Sequence, residues 1–234
     1  MPKNTRKFSL SKQKRALLLL EWCTGFRPAG SVWVLLLALR GFSLVEIGAA
    51  EGLFHVVSLC CELPSGVLAD VWGRKRTLTA SYALFLASAL LMAASGGYGG
   101  ACLSLAVSAM GYNLQSGTRE AITYESMLQA SREADYLKFS SLQNGVYRFS
   151  DGGAMLLAGA TVLLGWRTAY LLDAGIALIG LAAGLLDDAL QLVSDKRLND
   201  RFPSAQRATL VSVSSMAFSL CMIPLSPLFG WFFM

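Results

Sequence analysis

Glu21, Arg27, Glu51, Asn144, Tyr147, Arg148 and Asp151 are acids, bases and hydrogen-bonding groups set inside long apolar runs of the sequence. The carboxylic acids among them suit proton uptake and release, and the arginines suit ion pairing. Asn144, Tyr147, Arg148 and Asp151 recur at helical spacing and make one polar face, on which Arg148 and Asp151, three apart, also have the spacing to pair with each other. Such a face lines a water-filled cavity, or it is a self-neutralised pair that only packs helices. A second cluster lies in "ELPSGVLADVWGRKR", Glu62 to Arg76, which reads Gly66-x-x-x-Asp70-x-x-Gly73-Arg74-Lys75-Arg76. Its glycines permit close approach and a tight turn, Pro64 distorts a helix, and Asp70 beside Arg74 and Lys75 can form and break ion pairs. No nucleophile with its base, no phosphate loop and no metal-type spacing accompanies them. The five cysteines all fall in apolar runs and the single His55 cannot build a metal cluster. The sequence therefore predicts no enzyme and no cofactor.

The elements that position these groups follow from composition. Of 234 residues, 54% are hydrophobic and 15% charged, with a mean hydropathy of +0.50, against roughly 45–50% apolar and 25% charged for a soluble domain. Apolar stretches near the ~20 residues that cross a hydrocarbon core recur along the chain. Six spans are predicted, Ala16 to Leu39, Val45 to Leu68, Leu78 to Ala94, Ala101 to Leu114, Gln143 to Leu164 and Thr168 to Leu186, with a seventh from Ala208 to Phe229. Residues 120–137 are expected either as an amphipathic surface helix or as a plain helical connector. The fold class is an all-α membrane protein. Glu21 and Arg27 inside the first run argue against a signal peptide. Arg27 and Pro28, between Gly25 and Gly30, fall close to mid-membrane, where the helix is expected to loosen.

The net charge of +5 does not point to nucleic acid. All of the 20 Lys and Arg residues except Arg27, Arg40, Arg148 and Arg167 fall in segments that these spans place on the same side of the membrane as the N-terminus. That asymmetry is the positive-inside pattern and predicts a cytoplasmic N-terminus in a multi-pass protein of the plasma membrane, for a bacterium the inner membrane.

The Gly66 to Arg76 stretch closely resembles the loop between the second and third helices of the major facilitator superfamily, and "SGTREAITYESM", Ser116 to Met127, resembles the end of helix four in one branch of it. The resemblance implies a cytoplasmic latch carried by Asp70, Arg74 and Lys75, with Gly66 and Gly73 as packing and turn residues. It also implies secondary transport of a small molecule by alternating access, coupled to protons and directed toward efflux, with Glu21, Glu51 or Asp151 as proton-linked acids. The tail "KRLNDRFPSAQRATLVSVSSMAF" resembles the end of helix ten and most of helix eleven. By that resemblance residues 1–186 form the N-terminal six-helix half, 187–207 a connector at the seam of an internal deletion near Leu185 to Asp195, and 208–234 an eleventh-type helix. Asp70 is then expected to cap the helix starting near Ser204, beside Arg207. The expected partners are lipid, the small-molecule substrate and protons, with either a second copy or a missing second half completing the cavity. The competing reading is a non-transporting remnant or membrane interaction protein.

Overall fold

The computed structural model describes residues 9–186 together with 220, 222–224 and 227, and among these residues it is helical, without strands. The first apolar run is broken. Helix α1 (Leu10–Gly25) stops ahead of Pro28, a 3₁₀ turn follows at Gly30–Val32, and α2 (Trp33–Leu39) completes the crossing. Pro28 has no amide hydrogen to offer, and its ring biases Arg27 away from helical geometry, so the helix ends where the sequence loses its ladder.

Helix α3 (Leu44–Trp72) begins with a capping box. Glu46 N–H donates to Ser43 Oγ at 3.3 Å while Ser43 N–H donates to Glu46 Oε2 at 2.8 Å, which satisfies donors at an end that otherwise lacks partners. Pro64 lies inside α3, and the helix continues through it. Gly73, with φ 88° and ψ 143°, separates α3 from α4 (Arg74–Ala94); that backbone geometry is essentially confined to glycine.

Helix α5 (Tyr98–Gln129) has 32 residues and is about 48 Å long, more than the ~30 Å core needs. It absorbs much of the stretch expected as an amphipathic surface helix. Ile122 and Met127 are fully buried in the bundle, and a short 3₁₀ turn at Glu133–Asp135 leads into α6 (Tyr136–Leu156). Helix α7 (Ala158–Leu164) extends α6, and Gly165, again at positive φ, turns the chain into α8 (Trp166–Leu186).

The first run through α2, together with α3, α4 and α8, is long and apolar enough to cross a membrane by length and composition alone. Helices α5 and α6 carry more polar residues. Several of those residues, among them Gln115, Arg119, Ser126 and Gln143, bond to α1.

Packing sets α4 at the centre, with α5 and α8 along it, α3 against α5, and α1 against α6 and α8. One core cluster joins Leu17, Leu20 and Cys23 of α1 to Leu78, Tyr82 and Phe85 of α4 and Ile176 of α8. A second, toward the α2 end, joins Leu36, Leu37, Ile47, Met92 and Tyr170. Apolar association offers no driving force between helices in lipid, so close backbone approach through small residues replaces it. A Cβ at Gly180 would overlap the Tyr82 ring, and one at Gly184 would lie 2.7 Å from Thr79 Oγ1. Gly25 makes the equivalent approach to Tyr147 and Ser150 on α6. The close contact expected at Gly66 is not made among the described residues: a Cβ there meets nothing within 4 Å.

Gly180→Ala is therefore expected to cost about 1–3 kcal/mol through overpacking, whereas Gly175→Ala, which meets open space on the same helix, leaves stability unchanged. Thermal unfolding of the two variants in detergent checks this; equal midpoints would remove the role given to the α4–α8 approach.

Candidate functional site

Polar residues of the first run recur on one side of α1 and continue past its break, and nearly all of them find partners on other helices. Gln13 Nε2 donates to Ser126 Oγ at 3.1 Å. Two turns further on, Glu21 is 2% exposed and receives Arg119 Nη1 at 2.9 Å and Gln143 Nε2 at 3.3 Å. Thr123 Oγ1 donates to Gln143 Oε1 at 3.1 Å, which fixes the amide so that its nitrogen faces the acid. The pair is thus held from three helices, α1, α5 and α6.

The next level surrounds Tyr82. Its hydroxyl donates to the Leu20 carbonyl at 2.7 Å, and Gln115 Nε2 reaches both Thr24 Oγ1 at 2.8 Å and Tyr82 Oη at 3.1 Å. At the break, Pro28 leaves backbone donors without helical acceptors. Asp173 on α8, 3% exposed, takes Ala29 N–H at 3.0 Å and Gly30 N–H at 2.9 Å, one on each carboxylate oxygen. Arg27 Nε lies 3.9 Å from the same carboxylate and its guanidinium stands over the Phe85 ring at 5.0 Å. Beyond the break, Ser31 Oγ donates to Asp151 Oδ1 at 3.1 Å.

The expected polar face of α6 is divided. Gln143 and Ser150 are buried toward α1, Tyr147 and Asp151 are half-buried, and Asn144 and Arg148 are exposed. Arg148 and Asp151 make no ion pair with each other among the described residues; Asp151 bonds Ser31 instead, and Arg148 stands 5.6 Å from the ring of its neighbour Tyr147. Asn144 joins Glu21, Arg119 and Gln143 in lining a shallow indentation in the bundle surface. Glu51 is half-buried on α3, apart from this seam.

At the α3–α4 turn, Arg74 does not rest mainly on Asp70. Its Nε lies 2.8 Å from Glu125 Oε1 on α5, while its contact to Asp70 is 3.9 Å and the Asp70 side chain is 54% exposed. Lys75 is largely buried and has no ion pair among the described residues. Burial holds the Glu125 carboxyl above the usual carboxylate range, although Arg74 beside it pulls the other way. Ser204 and Arg207, the expected partners of Asp70, lie outside the described residues, as does the seam beyond residue 186.

Sequence reading missed Asp173, Gln143 and Glu125, and placed Arg119 among the free basic charges of an inside segment. The signal for Asp173 was present: it is an isolated acid within a 21-residue apolar helix, which is the same criterion that selected Glu21. Nothing in the sequence alone pairs Glu125 with Arg74 or Arg119 with Glu21.

No protein-family model and no curated protein matches the sequence. Among solved structures, a crystal structure of tetrameric PepTSo2 matches over 94% of this chain and 49% of its own, with a TM-score of 0.66 at 15% identity. The chain spans about half the length of that protein. At this identity the likeness carries the fold alone: an all-α membrane bundle.

Two outcomes follow from these pairings. Arg119→Gln leaves Glu21 buried and uncompensated, an expected loss of about 3–5 kcal/mol, and adding Glu21→Gln recovers part of it, so a double-mutant cycle in detergent should show strong coupling. On acidification, the Arg74–Glu125 pair should be intact above the raised carboxyl pKa and lost as pH falls through it, at a higher pH than for an exposed glutamate. The carboxyl infrared band, compared with that of Glu125→Gln, reads this directly.

Proposed function

We infer that the chain is the N-terminal half of a secondary transporter of the major facilitator type, moving a small molecule by alternating access in exchange for protons, in the direction of efflux. The observation that carries this reading is Glu21: an acid 2% exposed, inside a span, paired to Arg119 and Gln143, and lining a surface indentation. Ionisable groups inside a membrane are expensive and default to functional roles. Protonating Glu21 neutralises it and releases Arg119, so proton binding and a change in how α1, α5 and α6 are held together become one event.

The Asp70 to Lys75 turn is the latch of this reading. Arg74 is anchored on Glu125, which leaves the exposed Asp70 available to an outside helix end, assigned to the segment near Ser204 and Arg207. Alternating access needs a second half related to this one by an axis along the membrane normal. A further part of a longer protein or a second copy supplies it. Charge asymmetry supports a cytoplasmic N-terminus in the plasma membrane.

A substrate-independent test labels Asn144→Cys with an impermeant maleimide in sealed vesicles of both orientations. The side of labelling should switch several-fold between mildly alkaline and mildly acidic buffer, and Glu21→Gln should abolish the switch. Labelling from one side under all conditions, unchanged by Glu21→Gln, would favour the non-transporting reading, which the half-length match to PepTSo2 keeps in view.

A further inference from the structure

The arginines carried on or at the ends of the bundle's helices pose one problem, because an uncompensated guanidinium at bilayer depth is costly. Arg27 meets Asp173 and the face of Phe85. Arg119 meets Glu21 at 2.9 Å. Arg40, at the end of α2, stands 4.1 Å over the Trp166 ring and donates to the Ser95 carbonyl at 3.0 Å and its hydroxyl at 2.9 Å. Arg148 is the exception. It has no acid partner among the described residues and its side chain is exposed, with only the Tyr147 ring 5.6 Å away.

Arg148 lies about 18 Å along α6 from Tyr136 at 1.5 Å per residue, inside the predicted span Gln143 to Leu164. The packed face of α6 runs through Phe139, Gln143, Ser150 and Ala154; at 100° per residue Arg148 points nearly opposite. Asp151, one turn on and the acid best placed to neutralise it, is occupied by Ser31 at 3.1 Å. Asn144, one turn back on the same side, is exposed and presents an amide. On α5, Tyr112 is 49% exposed and its ring lies 6.3 Å from that of Phe54.

We propose that Arg148 and Asn144, beside the Tyr147 ring, form the binding site of an organic anion, a planar carboxylate carried within the bilayer-spanning part of the protein. The guanidinium fork accepts a carboxylate through two parallel hydrogen bonds, which an ammonium cannot do. The Tyr147 ring supplies the apolar lining that ligand sites combine with a few placed polar groups. This assignment rests on the transport reading and names its substrate class.

The test uses the full chain in detergent with benzoate as the probe, and with benzamide and benzylammonium as neutral and cationic counterparts of the same shape. Thermal-shift titration should show stabilisation by benzoate and not by the other two. Arg148→Gln should weaken the apparent benzoate affinity about tenfold or more, and Arg148→Lys should weaken it less. Gly175→Ala, on α8 and outside both sites, should keep benzoate binding, and the pH-dependent labelling of Asn144→Cys is read on its own, so that failure of proton coupling and failure of this site are distinguished. Should Arg148→Gln not fold, the Arg148→Lys and Asn144→Ala variants carry the comparison, both expected to bind benzoate more weakly than the parent. The proposal is overturned by no benzoate shift, by equal binding of benzamide, or by variants that leave benzoate affinity unchanged. It is equally overturned if Arg148→Gln alters only the oligomeric state in light scattering, which would make Arg148 a contact to a second half.

Discussion

The hydrocarbon core of a bilayer holds no water to answer a stray donor or charge, and that constraint governs where this chain is allowed to be polar. A helix interrupted by proline has amide hydrogens to spare. Here they are met by one carboxylate, Asp173, which takes Ala29 and Gly30 with its two oxygens and stands near Arg27 as well. The break in the first span is therefore a built feature, held by α8. It fixes the angle at which α1 lies against the bundle.

That placement explains the order of partners along α1. Gln13, Glu21, Thr24 and Arg27 meet α5, then α5 with α6, then α4 with α5, then α8. Helices α5 and α6 are the ones whose polar content weakens them as spans by composition, and part of that content, Gln115, Arg119, Ser126 and Gln143, is what meets α1. Close packing makes the arrangement specific. Gly180 and Gly184 let α8 reach α4, and Gly25 lets α1 reach α6. The short distances across Tyr82 and Glu21 depend on those approaches.

The two polar regions differ in kind. The seam on α1 is buried and almost fully satisfied. The turn at Gly73 is anchored on one side by Arg74 and Glu125 and open on the other, where Asp70 is exposed. Arg148 is open in the same sense within the membrane. In the transport reading proposed above, groups left open on an otherwise satisfied bundle are the ones assigned to a ligand or a second half.

The sequence by itself determined the all-α membrane class, because apolar length and charge asymmetry are local sums that need no knowledge of neighbours. It also located the special positions: Pro28 between glycines, the positive-φ turn at Gly73, and Glu21 as a costly buried acid. Residue type and depth along a span are enough for that. Only the tertiary structure decided the pairings. Arg148 and Asp151 have the right spacing to neutralise each other, yet Asp151 turns to Ser31 on another element and Arg148 is left facing outward. Glu21 and Arg119 are 98 positions apart, and Arg74 prefers Glu125 on α5 to Asp70 one turn away. Which charges meet depends on the rotation and separation of packed helices, a property of contacts distant in sequence, and helical periodicity along one segment carries no information about it.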